Sequence, residues 1–315
     1  MKLIGAFFRL IRFPNLFFIA LTQSLFYYCV ILREFGRFPG VELAFRWPHL
    51  LVLIVASILI AAAGYIINDY FDLNIDRVNR PGKLVVEKII KRRWAIIWHW
   101  GLSALGILLS FYLGWKIGNI FLGVFNLISV ILLWFYSTTF KRQLLIGNIV
   151  ISLLTAWVVL VFYVCEARIG YAESNPDYFT ILTRIFKFVA LYGGFAFIIS
   201  LVREVIKDME DIEGDSKYNC KTMPIVWGIP AAKVFTAVWI IVLIGALIVV
   251  QIYALQLKWW WLVGYSILLI IVPLTVILKK LFNAKVSEDF NRLSTLVKLV
   301  MLTGIVSMLF LKWYN

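Results

Sequence analysis

The sequence predicts an all-α, polytopic membrane protein with nine transmembrane helices around a central cavity. Three observations carry that expectation. First, 63% of the 315 residues are hydrophobic and only 15% are charged, whereas soluble domains hold roughly 45–50% apolar and about 25% charged residues. Second, the apolar residues gather into nine runs, each near the length of about 20 residues that a helix needs to cross a bilayer. Third, those runs are too long for the strands of a membrane barrel, and lipid tolerates no other spanning structure, because every backbone polar group must be satisfied internally.

The runs fall near residues 14–32, 50–69, 94–113, 119–139, 144–165, 185–206, 234–255, 259–278 and 293–312. The segment ahead of the first, MKLIGAFFRLIRFPN, is basic, but Arg9 and Arg12 interrupt its apolar part, so it does not read as a cleaved signal. An odd number of spans places the termini on opposite faces. With the N-terminus on face one, 20 of the 31 Lys and Arg residues lie on that face, 8 on the other and 3 within spans. The positive-inside rule makes face one cytoplasmic. The net charge of +14 is then a matter of topology and anionic headgroups, and nucleic acid is not expected as a partner. Cys29, Cys165 and Cys220 lie far apart and show no metal or disulfide spacing.

Two loops on face one are long and polar. The first follows span two and contains NDYFDLNIDRVNRP; the second follows span six and reads REVIKDMEDIEGDSKYNCK. If the second span continues as a helix, Asn68, Asp72 and Asp76 stand at i, i+4 and i+8 on one slowly turning stripe, and Asp69 points about 100° away to some other task. Glu204, Asp208, Asp211 and Asp215 form a similar stripe, with Gly214 as a helix stop just before Asp215. Aligned carboxylates repel one another unless a cation neutralises them. Oxygen donors without His or Cys favour a hard divalent ion, Mg²⁺, Ca²⁺ or Mn²⁺. Asn68 and Asp208 are 140 residues and four spans apart, so the fold is expected as two four-helix pseudo-repeats plus one further helix. Basic residues flank both stripes: Arg77, Arg80 and Lys83 beside the first, Lys207, Lys217 and Lys221 beside the second. A third turn on face one carries Tyr136, Ser137, Lys141 and Arg142. Together these suggest a diphosphate pocket. His49 and His99 lie away from both stripes and are expected at the surface or interface, and most of the aromatics are expected in interfacial belts or packing.

The run Asn-Asp-x-x-Asp-x-x-x-Asp at Asn68–Asp76, with its partner Asp211-x-x-x-Asp215, resembles the two acidic motifs of the UbiA superfamily of intramembrane prenyltransferases. The likeness extends along essentially the whole chain, as a single domain over residues 1–315. RFPN (Arg12, Pro14, Asn15), NDYFDLNIDRVNRP, LLIGN and REVIKDMEDIEGD are most similar to the branch named for digeranylgeranylglyceryl phosphate synthase. The resemblance implies Mg²⁺-dependent transfer of a polyprenyl group, geranylgeranyl for this branch, from an allylic diphosphate to a lipophilic acceptor. The acceptor implied is the hydroxyl of geranylgeranylglyceryl phosphate, giving an ether lipid; an aromatic quinone precursor or a porphyrin-type ring is the alternative, and a divalent-cation transporter a remote one. It assigns Asn68, Asp72, Asp76, Asp211 and Asp215 as catalytic metal ligands, with Asp208 either a further ligand or a partner of Lys207. Arg77, Arg80, Tyr136, Lys141, Lys207 and Lys221 are the diphosphate-binding candidates, and Arg12 and Asn15 the acceptor-binding ones. Membrane lipid is the only other partner expected, with no obligate protein partner. The expected location is the inner cell membrane, with the N-terminus and both motif loops in the cytoplasm.

Overall fold

Nine helices long and apolar enough to cross a membrane run through the computed structural model, which describes residues 2–79, 82 and 84–314. They are α1 (Phe13–Gly36), α2 (Trp47–Phe71), α3 (Arg92–Ile117), α4 (Phe121–Thr138), α5 (Ile146–Glu166), α6 (Pro176–Glu210), α7 (Gly228–Gln256), α8 (Trp260–Asn283) and α9 (Ser287–Leu311). No strand occurs among the described residues, only an isolated bridge between Val86 and Ile90. The chain is a multi-pass membrane protein.

Helix α6 starts nine residues before the run expected from hydropathy. Pro176, with its fixed φ, suits the first turn, and the Asn175 side chain caps the helix by accepting from the Tyr178 N–H at 3.0 Å. The first turns, PDYFTILTR, are too polar to register as a span. With 35 residues the helix is about 50 Å long at 1.5 Å per residue, well beyond a hydrocarbon core of about 30 Å. Its charged C-terminal turns can therefore stand clear of the lipid. Helix α8 accommodates a proline in mid-span: the five residues Ile267–Ile271 widen into a π turn just before Pro273. Proline lacks an N–H and crowds the preceding turn, and a π bulge is one way a helix absorbs that misfit.

Helices α1, α2, α4, α5, α6 and α9 close a ring, each packing on the next, with α9 returning to α1. Helix α3 packs outside α2 and α4, and α7 and α8 lie outside α6 and α9. The ninth helix is thus built into the ring, between the second half of the chain and α1. On the face opposite the two motifs, Phe26, Tyr27, Phe45, Phe162 and Tyr178 are fully buried in one apolar cluster. Lipid-facing positions stay apolar, and Trp47, Trp115, Trp260, Trp261 and Trp313 are exposed on that opposite face, as an interfacial belt requires. His99 departs from its expected surface position. It is buried beside Trp134, and its Nδ1 lies 3.0 Å from the carbonyl oxygen of Ala63, which satisfies the ring inside the α2–α3 interface.

Candidate active site

The first acidic motif is a broken helix, not the continuous one expected. Helix α2 stops at Phe71, Asp72 sits at the break (φ −86°, ψ −2°), and a second helix resumes over Leu73–Asn79. Backbone bonds bridge the break, from the Asp72 N–H to Asn68 O at 2.9 Å and from the Asp76 N–H to Asp72 O at 2.8 Å, so the stripe survives the kink. The Asn68 amide donates to one Asp72 oxygen at 2.7 Å, and the Lys141 ammonium donates to the other. Asp69, off the stripe, accepts from the Arg12 guanidinium at 2.8 Å. Arg12 itself adopts a left-handed backbone (φ 51°) between the helix Lys2–Leu10 and α1, and lies 5.0 Å from the Tyr65 ring. Burial opposes its charge, but Asp69, Tyr65 and Asp72 outweigh burial and push its pKa up.

Lys141 reaches the motif because of a tight turn. Phe140–Arg142 form a single 3₁₀ turn between α4 and α5. Gly147 lies so close beneath it that a Cβ would stand 2.7 Å from the Lys141 Cα; no larger residue fits without moving that backbone.

The second motif repeats the design. Helix α6 ends at Glu210, Asp211 occupies the break (φ −97°, ψ 9°), and Ile212–Lys217 form another short helix that contains both Gly214 and Asp215. Gly214 is therefore not the helix stop that was expected. Its small size is needed for a different reason: a Cβ there would meet the Asn79 Oδ1 at 2.5 Å. Asn79 ties the two motifs together, donating to the Asp211 carbonyl at 3.0 Å and accepting from the Gly214 N–H at 2.8 Å. Asp208 accepts from the Asn148 amide at 2.8 Å. Burial, then the neighbouring carboxylates of Asp211 and Asp72, push the Asp215 carboxyl up to about 7, against the pull of Lys141 and Lys207. Carboxylates from both loops thus share one electrostatic environment.

Both motifs open onto one cavity of about 370 Å³, within the range of small-molecule sites. Asn68, Asp72, Asp76, Asp208, Asp211 and Asp215 all line it, as do Tyr136, Lys141, Lys207, Arg12 and Asn15. Two other candidates lie outside the lining. Arg77 is exposed and pairs with Glu87 at 2.6 Å, and Lys221 is exposed. Arg80 and Lys83 fall outside the described residues. Sequence reasoning passed over Asn79, Asn148, Arg203 and Lys298, which also line the cavity. Arg203 and Lys298 had a usable signal, since an ionisable residue inside a span is functional by default. Away from the motifs the walls become apolar, with Ile60, Leu133, Leu154 and Ile199. The far end is polar again, where Gln23 donates to Ser57 at 2.9 Å and Trp157 donates to Asn126 at 2.8 Å.

The donor set suits magnesium bound together with phosphate. Asn68 Oδ1 is buried without a hydrogen-bond partner among the described residues, a cost of about 1–3 kcal/mol that an oxygen-seeking cation would relieve. No group of three or more His, Cys, Asp or Glu among the described residues is gathered as a ready-made metal cage. Mg²⁺ does not require one, because it is usually held by one or two carboxylates plus phosphate oxygens and water.

Comparison with known proteins gives a consistent result. The profile of the UbiA prenyltransferase family matches residues 39–306. The chain is 31% identical over 183 residues to digeranylgeranylglyceryl phosphate synthase of Thermococcus sibiricus, a match spanning 58% of each chain and so less than two thirds of that relative. It is 29% identical over 276 residues, 88% of each chain, to the protein of that name from Sulfurisphaera tokodaii. Among solved structures, one of a digeranylgeranylglyceryl phosphate synthase superposes with a TM-score of 0.61 at 23% identity, covering 98% of this chain and 99% of the other. A UbiA homolog from Archaeoglobus fulgidus bound to DMAPP and Mg²⁺ gives 0.57 at 16% identity, covering 96% and 98%. At those identities the superpositions establish the shared fold.

Proposed function

Because the chain belongs to the UbiA prenyltransferase family, we propose that it transfers a polyprenyl group, geranylgeranyl in the first instance, from an allylic diphosphate to the hydroxyl of geranylgeranylglyceryl phosphate. The observation that carries this reading is the joining of two acidic motifs, far apart in sequence, on one cavity whose walls turn apolar toward the membrane. The names of the relatives support the choice of acceptor.

In the reaction the allylic C1–O bond breaks and diphosphate departs with the electron pair. The acceptor oxygen bonds to C1, and the hydroxyl proton is released. Mg²⁺, held by Asn68, Asp72, Asp76, Asp208, Asp211 and Asp215, would supply charge neutralisation for the departing diphosphate. Lys141 and Lys207 offer charged donors to the same phosphates, and Tyr136 offers a hydroxyl at the cavity wall. The apolar walls exclude water from the allylic centre and take up the prenyl chain, whose burial gains about 0.8 kcal/mol per CH₂. The charge asymmetry of the loops orients the motif face toward the cytoplasm, in the cell membrane.

The test is a product mass from purified protein given Mg²⁺, geranylgeranyl diphosphate and candidate acceptors. An ether lipid that disappears on chelation of the metal is expected. A prenylated aromatic product with no ether lipid would overturn the acceptor, and cation flux in proteoliposomes without diphosphate turnover would overturn the reaction.

A further inference from the structure

Two groups of charged residues line different parts of the cavity, with Glu204 of the second acidic stripe standing among the basic ones. The acidic motifs and Lys141 lie where α2, the α4–α5 turn and the end of α6 meet. A basic cluster lies where α1, α6 and α9 meet, with Arg12 and Asn15 at the start of α1, Arg203 on α6 and Lys298 on α9, all lining the cavity; Lys207, one turn beyond Arg203, leads from it to the acidic motif. Arg203 and Lys207 are four residues apart and share a helix face. Lys298 shares its face with Met301, Ile305 and Met308, which line the apolar part of the cavity, so its ammonium stands at the boundary between apolar and polar walls.

The partners of Arg203 and Lys298 leave donor capacity unused, and both side chains line the cavity. Asp69 accepts from Arg12 at 2.8 Å, and Glu204 accepts from Arg203 Nη1 at 2.8 Å. Arg203 Nε is buried and has no hydrogen-bond partner among the described residues. The Lys298 ammonium reaches the Asn15 Oδ1 at 3.4 Å, a long bond that uses one of its three donors. A buried, charged donor without an acceptor is costly, and intramembrane cations are kept where they meet a charged or polar ligand. An anion held between α6 and α9 would meet the charges of both side chains, which line the cavity there.

We propose that Arg203 and Lys298, with Asn15 orienting the ammonium, bind a phosphate monoester, the headgroup of the acceptor lipid, at a subsite separate from the diphosphate. The inference rests on the acceptor class proposed above. It explains how one cavity holds two phosphorylated lipids without exchanging their roles: the diphosphate goes to the acidic wall with its metal, and the monoester to the basic wall. The acceptor tail then runs along the α9 face below Lys298, and its glycerol hydroxyl lies between the two walls, where C1 of the donor must come.

The test uses the full-length protein with Lys298→Met and Arg203→Gln, and with Lys298→Arg as the conservative control. Steady-state kinetics are measured for the prenyl diphosphate, for a C20-alkylglycerol phosphate and for the same alkylglycerol without phosphate. The KM for the phosphorylated acceptor should rise about tenfold or more in Lys298→Met and Arg203→Gln, with Lys298→Arg near wild type. The KM for the diphosphate and the turnover of the unphosphorylated acceptor should stay within about twofold of wild type. A matching rise in the diphosphate KM, equal losses with both acceptors, or unchanged kinetics would each overturn the subsite. Binding of the alkylglycerol phosphate to protein in detergent, by titration calorimetry, separates this inference from the reading beneath it. If wild type makes no ether lipid, tenfold weaker binding in Lys298→Met still supports a monoester site, and equal binding sinks it. Competition by inorganic phosphate and by phosphatidate, each lost in Lys298→Met, distinguishes a headgroup site from a free-phosphate site; competition that persists in the variant counts against it.

Discussion

The two acidic motifs share a design but differ in what holds them. In the first, cations join the Asn68 amide on Asp72: Lys141 on Asp72 and Arg12 on Asp69. In the second, the amides of Asn148 and Asn79 hold the Asp208 carboxylate and the Asp211 carbonyl, and Arg203 holds Glu204. A cation partner fixes a carboxylate and also offsets its charge, whereas an amide fixes it and leaves the charge in place. Burial, then the carboxylates of Asp211 and Asp72, raise the Asp215 carboxyl, so a divalent ion shared between the two motifs would relieve both. Asp72→Ala and Asp211→Ala test that sharing most severely. Each should lower prenyl transfer by about a thousandfold, the scale for removing a main electrostatic contributor, while the variants still reach the membrane fraction. Near-normal turnover in either would mean that one motif suffices.

Lys141→Met sharpens the contrast. It removes the fixed cation from the first motif and leaves a largely buried Asp72 carboxylate without it, which is strongly destabilising in a buried pair. Turnover should fall about a hundredfold, and the melting temperature in detergent should drop. Added Mg²⁺ with a non-hydrolysable diphosphate should recover part of that drop, because ligand binding to the native state stabilises it. No recovery would mean that Lys141 holds the turn without serving the site.

How much of this was legible in the sequence depends on the length scale of each signal. Apolar runs set the number and order of spans, because a bilayer imposes a length on every one of them. The two motifs were legible because they are local: Asn68, Asp72 and Asp76 lie within nine residues. The breaks at Asp72 and Asp211 were not, since helical spacing carries across a kink that keeps its backbone bonds. Asn79, Asn148 and Lys298 were missed for a different reason. Their roles come from partners such as Gly214, Asp208 and Asn15, which stand from 60 to 283 residues away in the chain, and no periodicity reports a contact of that range.

Asn148→Ala probes the amide side of the comparison. It removes one hydrogen bond to the part-buried Asp208 carboxyl, worth about 1.5 kcal/mol, so turnover should fall about tenfold, less than for Lys141→Met. Asn148→Asp should be worse than Asn148→Ala, because it places a second carboxylate 2.8 Å from Asp208. Equal activity in the two variants would mean that field matters less than position, and that the distinction between the motifs is one of geometry alone.

The smallest effect is expected where the two motifs are joined. Gly214→Ala puts a methyl group 2.5 Å from Asn79 Oδ1 and 2.6 Å from the Asn79 Cγ and Nδ2. Asn79 must swing away, losing its bonds to the Gly214 N–H and the Asp211 carbonyl. Two bonds at about 1 kcal/mol each would shift the second motif without removing any proposed metal ligand, so kcat should fall by several-fold while the KM for the prenyl diphosphate changes less. Asn79→Ala removes the same two bonds from the other side and makes room for the methyl group. The double variant should therefore be no worse than Asn79→Ala alone, a departure from additivity that residues in contact display and distant ones do not. Additive losses would show that Gly214 and Asn79 act separately, and that the motifs are held in register by the cavity walls instead.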